Sequence, residues 1–368
     1  MTEFIRDVFT SGDLWYVVVR VLVAFAVLLL IALLLVWFER KLVADMQNRV
    51  GPMRAGPFGI LQTLADGLKL LFKESPIPRK VELVPYLVAP IIAMVPTFLI
   101  FLVIPLGQTE IGGEVVTFRV MDLNVAVLYL LAMSSIAVYA VVLAGWSSGS
   151  KYPLLGGVRA TAQMISYEAA MGLSLVPVVL LASAQIGGGE VGIGTMSLTR
   201  IVELQQGSFR GIIPGWFVFW LLPSFAIFFV AGVAETNRAP FDLVEADQEI
   251  VGGYHTEYSG FRFALFFLAE YLNIFNISAI TVTLFLGGWL GPDFGLPDAV
   301  AWIMPIFWFL AKTVALLFVF VWIRASLPRL RYDQLMTLGW KRLIPASLAW
   351  LVLFTVVTAV RRFGMPWG

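Results

Sequence analysis

The sequence predicts an all-α integral membrane protein, with about eight transmembrane helices and an interfacial amphipathic helix after the first span. Three observations carry this. Of 368 residues, 60% are hydrophobic and only 13% charged, with a mean hydropathy of +0.88; soluble domains are about one quarter charged. Apolar runs near the roughly 20 residues needed to cross a bilayer recur along the whole chain. Lys and Arg gather in alternate connections between those runs, which gives the runs a direction.

The runs fall at 15–38, 83–105, 123–146, 158–184, 213–234, 261–290, 299–323 and 343–360. Residues 1–14 lack the basic segment and cleavage site of a signal peptide, so the first run is expected to remain as an anchor. The connection after it carries Arg40, Lys41, Arg49, Arg54, Lys69, Lys73, Arg79 and Lys80, and the one after the seventh carries Arg324, Arg329, Arg331, Lys341 and Arg342. The intervening connections are poor in base. The basic loops therefore belong on the cytoplasmic (or matrix) side, and both termini on the outer side of a plasma (inner) membrane. Arg361 and Arg362 run against this pattern.

The segment 59–73 is too short to cross. It sets Ile60, Leu61, Leu64, Leu68, Leu71 and Phe72 on one face and Asp66, Lys69 and Lys73 on the other, between Gly-Pro pairs and Pro76 and Pro78. This pattern suits a helix lying in the interface, though a plain surface helix would show it too. With no tandem repeat and no inverted halves, residues 1–368 read as a single multi-pass domain.

Composition also excludes. The net charge of +1 and the lack of a basic, aromatic-interleaved stripe argue against a nucleic-acid partner. With no cysteine, disulfides, cysteine-ligated zinc and iron–sulfur clusters are out. His255 is the one histidine, so a bis-histidine haem would need a ligand from elsewhere. Any electrons must come from another polypeptide.

Ionisable groups inside a span are costly and usually mark a pathway. Arg20 is shallow enough to snorkel. Glu168 lies nine residues past Arg159, roughly 14 Å deep, and Glu270 eight past Arg262, about 12 Å deep. Lys312 is near the middle of the seventh run, and Glu235 closes the fifth. Carboxylates in a medium of low polarity can take and release protons near neutral pH, as a proton relay requires; the alternative is a static ion pair of Glu168 or Glu270 with Lys312. The acidic loop 235–260 adds Asp242, Glu245, Asp247, Glu249 and Glu257 against Arg238. Asp242 and Glu245 could cap a short helix, and the others could be solvated. The interleaved aromatics and the Gly252-Gly253 pair instead suit a loop packed on a partner or folded back into the headgroups.

At this loop the chain resembles a known family. The stretch Ala234-Glu235-Thr236-Asn237-Arg238-Ala239-Pro240-Phe241-Asp242, continuing to Glu249, and then Gly252-Gly253-Tyr254-His255-Thr256-Glu257-Tyr258 resemble the signature of one membrane subunit, the H or chain 1 type, of the proton-translocating NADH:quinone oxidoreductases, respiratory complex I. In order along the chain, Glu39-Arg40-Lys41, Arg49 to Gly59, Leu64-Ala65-Asp66-Gly67-Leu68-Lys69, Ala137-Val138-Tyr139, Gly145 to Tyr152, Ile165-Ser166-Tyr167-Glu168, Ala269-Glu270-Tyr271 and Trp322 to Gln334 agree with it. The likeness runs from about residue 15 to 360.

The resemblance implies a subunit that joins the membrane arm to the peripheral electron-transfer arm and forms the tunnel by which ubiquinone or menaquinone reaches a partner's iron–sulfur cluster. Quinone would be substrate, and this chain would bind no metal, haem or flavin and catalyse nothing alone. Partners would be the peripheral iron–sulfur and quinone-site subunits, small neighbouring membrane subunits, antiporter-like pumping subunits and the bilayer. The family's tunnel residues match Arg40, Arg54, Ala65, Asp66, Lys69 and Arg238, with quinone passing between the first run, the sixth and the interfacial helix. Its line of acids matches Glu168, Glu235, Asp242, Glu245, Asp247, Glu249 and Glu270. Two positions depart. Some relatives carry a carboxylate at Ser135, where this span is uncharged, so a relay must pass by water or by Ser134 and Ser135. Asp247 stands where several have Glu. The related membrane-bound hydrogenases and ferredoxin-driven complexes share the fold and remain the alternative; a stand-alone ion transporter fits the intramembrane acids but not the run of motifs.

Overall fold

The computed structural model describes residues 8–9, 13–111, 114–186, 195–209, 213–242, 251–292 and 301–363. It is a helical bundle with two small hairpins. In chain order the elements are α1 (Leu14–Met46), α2 (Gln62–Phe72), α3 (Leu83–Val103), the hairpin β1 (Gln108–Ile111) with β2 (Glu114–Thr117), α4 (Ala126–Ser147), α5 (Lys151–Ile186) and α6 (Leu198–Leu204). Next come the hairpin β3 (Ser208–Phe209) with β4 (Ile213–Pro214), α7 (Leu222–Glu235), α8 (Gly260–Phe285), α9 (Met304–Ser326), α10 (Tyr332–Thr337) and α11 (Ile344–Phe363). A π turn, Leu338–Leu343, joins α10 to α11 into one rod.

Among the described residues, seven helical segments are long and apolar enough to cross a membrane, and α7 is a shorter apolar helix. The expected all-α membrane architecture is therefore present, with differences at the ends of elements. The basic stretch 40–46 continues α1 instead of leaving it, α5 begins at Lys151 rather than 158, and the last rod begins at Tyr332 rather than 343. Hydropathy marks where lipid ends; the backbone goes on hydrogen-bonding past that point wherever the next turns pack on protein.

The fifth run differs most. The helix expected from 213 starts only at Leu222, and its 14 residues span about 21 Å at 1.5 Å each. The rest of the crossing is a strand and a short 3₁₀ turn, Phe217–Phe219. Irregular backbone at membrane depth survives only where protein satisfies it, and Gln205 at the end of α6 does so. Its Oε1 accepts the Phe217 N–H at 3.1 Å and the Gly287 N–H at 3.0 Å. Its Nε2 donates to the Thr283 carbonyl at 3.0 Å.

Lys312 serves the same end of the bundle. Its ammonium donates to the carbonyls of Leu286, Gly288 and Leu290 at 2.7, 2.9 and 2.6 Å and lies 4.5 Å from the centre of the Trp216 ring. These are carbonyls that the end of α8 leaves without helical donors, and a cation there suits the helix dipole. The ion pair of Lys312 with Glu168 or Glu270, considered from sequence, is not formed.

At the basic end, Pro90 inside α3 has no N–H to offer the Tyr86 carbonyl four residues back. The Tyr258 hydroxyl donates to that carbonyl instead, at 3.1 Å. The two rings stack at 4.3 Å, and the Tyr86 hydroxyl donates to the Glu257 carbonyl. This ties the segment before α8 to α3. Helices α4 and α5 close on each other through glycine: a Cβ at Gly145 would stand 2.6 Å from the Pro153 carbonyl oxygen.

Replacing Gln205 by Leu leaves the Phe217 and Gly287 amides buried and unpaired, at about 1–3 kcal/mol each. The expected outcome is a clearly lower unfolding midpoint in mild detergent; an unchanged midpoint would show that the staple does not bear on stability.

Candidate functional site: an apolar crevice, a charged chamber and a line of acids

Helix α2 lies beside α1 and α8 without burying any residue completely. Its amphipathic pattern explains this. Leu64, Leu68 and Leu71 face a crevice of about 540 Å³ that is walled on the other sides by Leu29, Leu33 and Val36 of α1 and by Phe263, Phe267 and Leu268 of α8. This is the size of a small-molecule site and has the apolar lining such sites favour. Leu68 and Phe261 at its rim are exposed.

One polar contact fixes α2 to α1. Arg40 donates to Asp66 Oδ2 at 2.7 Å, Gln62 donates to Oδ1, and Lys69 stands 3.9 Å away. Partial burial pushes the Asp66 carboxyl up, but the hydrogen bonds from Arg40 and Gln62 and the charges of Arg40 and Lys69 outweigh it and hold the group below the usual carboxylate range. Of the sequence-predicted tunnel residues, Arg40, Asp66 and Lys69 line the crevice. Ala65 and Arg54 are exposed, Ala65 on α2 and Arg54 in the loop before it, and neither is among the residues lining the crevice.

Arg40, Phe267 and Tyr271 also wall a second chamber of about 620 Å³, so the two spaces adjoin. The second is polar, with Glu39, Gln47, Arg49, Arg238 and Arg324 on its walls. Here four charges alternate. Arg324 hydrogen-bonds Glu39. Arg238 lies 3.5 Å from Glu39 and, by its Nε, 2.7 Å from Glu270. Its guanidinium also covers the Tyr271 ring at 4.4 Å. Glu39 and Arg238 are each only 6% exposed. The row is neutral in sum, which is what permits charge at that depth. Gln163 of α5 holds the turn carrying Arg238, donating to the carbonyls of Ala234 and Phe241 at 2.8 and 3.0 Å.

Beyond Glu270 lies a small cavity of about 60 Å³, shared by Glu270, Asn273, Thr97, Asn237 and Glu235. That exceeds the roughly 10–15 Å³ a single water needs. Glu235 is 3% exposed. Its Oε1 accepts from Ser134 of α4, while its Oε2 is buried without a hydrogen bond from the protein. The neighbouring Ser135 hydrogen-bonds Glu168 of α5, which is half-buried at the flank of the bundle.

Glu168, Glu235 and Glu270 therefore come together with Arg238, from three helices and a turn. Asp242 is half-buried just past that turn. Glu245, Asp247 and Glu249 lie outside the described residues. Sequence reasoning does not single out Glu39, Arg324 or Tyr271 as site residues. Glu39 falls one residue past the first apolar run, where hydropathy alone puts a loop; only the continuation of α1 to Met46 keeps it inside the bundle. Arg324 counts as a loop cation in the sequence for the same reason.

Two outcomes test this geometry. Arg238→Met leaves Glu270 buried without its cation, a loss of about 3–5 kcal/mol, and the double variant with Glu270→Gln should recover much of the stability in mild detergent. Equal stability of the single and double variants would refute the pairing. The Asp66 contact, with its carboxyl held low, should persist from pH 7 down to about 4 and release only as pH falls further, through the lowered pKa. Hydrogen exchange along α2 reads this; Asp66→Asn should release α2 already at pH 7.

Comparison with known proteins agrees with the sequence motifs. The family model described as NADH dehydrogenase matches residues 19–355. The H subunit of the NADH-quinone oxidoreductase of Frankia casuarinae (strain DSM 45818 / CECT 9043 / HFP020203 / CcI3) is 49% identical over 346 residues, covering 94% of this chain and 73% of the relative. A match of this extent, over the same helices that build the crevice and the charged row, places the chain in the NADH dehydrogenase family, among the H subunits of the NADH-quinone oxidoreductases.

Proposed function

We propose that this chain is the membrane subunit through which quinone reaches a proton-pumping NADH:quinone oxidoreductase, and that it couples quinone reduction to proton movement. The observation that supports the reading is the adjacency of spaces: the apolar crevice and the charged chamber share the walls Arg40, Phe267 and Tyr271, and Arg238 links that chamber to Glu270 and the small cavity shared with Glu235. An isoprenoid tail fits the leucine and phenylalanine walls. A quinone headgroup needs hydrogen-bond donors, and Arg40, Arg49 and Arg238 offer them.

Electrons come from a partner's iron–sulfur cluster, and the reduced headgroup takes up two protons. A change of charge in the chamber alters the balance on Arg238, which Glu39 and Glu270 share. Each unit of pKa shift passed along such a row is worth about 1.36 kcal/mol. The change then travels by Glu235 and Glu168, with Asp242, Glu245, Asp247 and Glu249 as loop members, to pumping subunits beside this one. The basic loops lie on the cytoplasmic side, where the peripheral subunits dock, and both termini lie outside.

Two substitutions test it in the assembled complex. A Cβ at Gly67 meets nothing within 4 Å and Gly67 lines the crevice, so Gly67→Phe should place its ring in the crevice. The expected result is a raised KM for quinone at unchanged NADH:ferricyanide activity. Glu235→Gln should cut coupled quinone reduction with assembly intact. A tagged chain that co-purifies with hydrogenase or ferredoxin activity instead of NADH:quinone activity would move the protein to the related complexes.

A further inference from the structure

Helix α4 carries no charged residue from Ala126 to Ser147, yet it touches two of the three intramembrane carboxylates. It does so with consecutive hydroxyls. Ser134, 8% exposed, hydrogen-bonds Glu235 of α7 on the inner side. Ser135, exposed, hydrogen-bonds Glu168 of α5 at the flank.

We infer that Ser134 and Ser135 carry the proton step across α4, joining Glu235 to Glu168 where a carboxylate is lacking. This deepens the relay reading above and rests on it.

Three features support the assignment. A serine within a helix ordinarily returns its hydroxyl to the carbonyl four residues back. Ser135 has that option in Leu131 at 3.0 Å and also reaches Glu168, so its hydroxyl has two directions. The two oxygens of Glu235 have different neighbours, so a turn of the carboxyl carries a proton from one to the other: Oε2 is buried without a protein donor in a residue that lines the small cavity with Glu270, and Oε1 meets Ser134. Successive side chains on a helix diverge by about 100°, so one turn of α4 faces both the sealed interior and the flank.

The proton balance is simple. A proton reaches Glu235 at Oε2 and neutralises it. The carboxyl then turns so that its protonated oxygen faces Ser134 and gives that proton to the Ser134 oxygen, as Ser134 releases its own, through a water, to the Ser135 oxygen. Ser135 gives its proton to Glu168. Glu235 ends ionised, Glu168 ends protonated, and both hydroxyls are restored after turning.

Threonine and valine have nearly the same shape and differ in the hydroxyl, so they separate conduction from packing. In the whole complex, reconstituted in vesicles, protons pumped per NADH are measured for Ser134→Thr, Ser134→Val, Ser135→Thr, Ser135→Val and Glu235→Gln. The valine variants should lose coupled pumping by at least about tenfold, with particle size and NADH:ferricyanide activity unchanged, and the threonine variants should keep it. Equal pumping by the Thr and Val variants overturns the inference while a defective Glu235→Gln leaves the relay standing; normal pumping by Glu235→Gln removes the relay and the inference together. If the Ser134 variants do not assemble, the Ser135 pair at the exposed flank decides by the same comparison.

Discussion

A guanidinium buried among apolar helices has to be answered by carboxylates, and the arrangement of this protein follows from how Arg238 is answered. Glu39 comes from α1 and Glu270 from α8, and Arg324 of α9 binds Glu39 in turn, so three helices distant in sequence meet around the charge held on the turn after α7. Removing one partner leaves an uncompensated charge, which costs more than the pair gains. The cluster is thus a weak source of stability and a strong constraint on register. It also explains why α1 runs on past its apolar stretch: the helix must continue for Glu39 and Arg40 to face the chamber and the crevice from one turn.

The opposite end of the bundle solves a different problem, with hydrogen bonds to backbone in place of ion pairs. There the chain crosses with short and irregular backbone, and Gln205 and Lys312 supply donors and acceptors to amides and carbonyls that no helix satisfies. Lys312 shows how an intramembrane charge can be purely structural. Three carbonyl oxygens and a tryptophan face absorb it. The acids remain gathered at the depth of Glu270, Glu235 and Glu168.

What can be read from the sequence divides along the same physical line. The all-α membrane character and the amphipathic α2 follow from local composition and period, and among the described residues seven helices are long and apolar enough to cross a membrane. The Arg40–Asp66 contact is accessible in outline because both residues sit in motifs flanking one loop. The roles of Glu39, Arg324 and Tyr271 are not, since each depends on helices extending beyond their apolar windows and meeting others hundreds of residues away. Nor is the true state of Lys312, because a cation in an apolar run invites a carboxylate partner, whereas backbone carbonyls have no signature in the sequence. The helix of the fifth run starts later than the run for a similar reason: Phe217 is as apolar as a helical residue, and its amide is satisfied by the distant Gln205.

The serine pair shows why a departure from a family pattern can carry more information than agreement with it. An acid at the position of Ser135 would need a cation or water to offset its charge at the bundle's flank, close to Glu168. A hydroxyl needs neither, since it can donate to one group and accept from another without ever bearing net charge. The three remaining acids are then separated by neutral groups, Asn273 and the small cavity on one side of Glu235 and two hydroxyls on the other. On the proposed relay, such spacing lets one carboxylate be ionised without forcing its neighbours to be protonated, and a change of charge at Arg238 is passed along one site at a time.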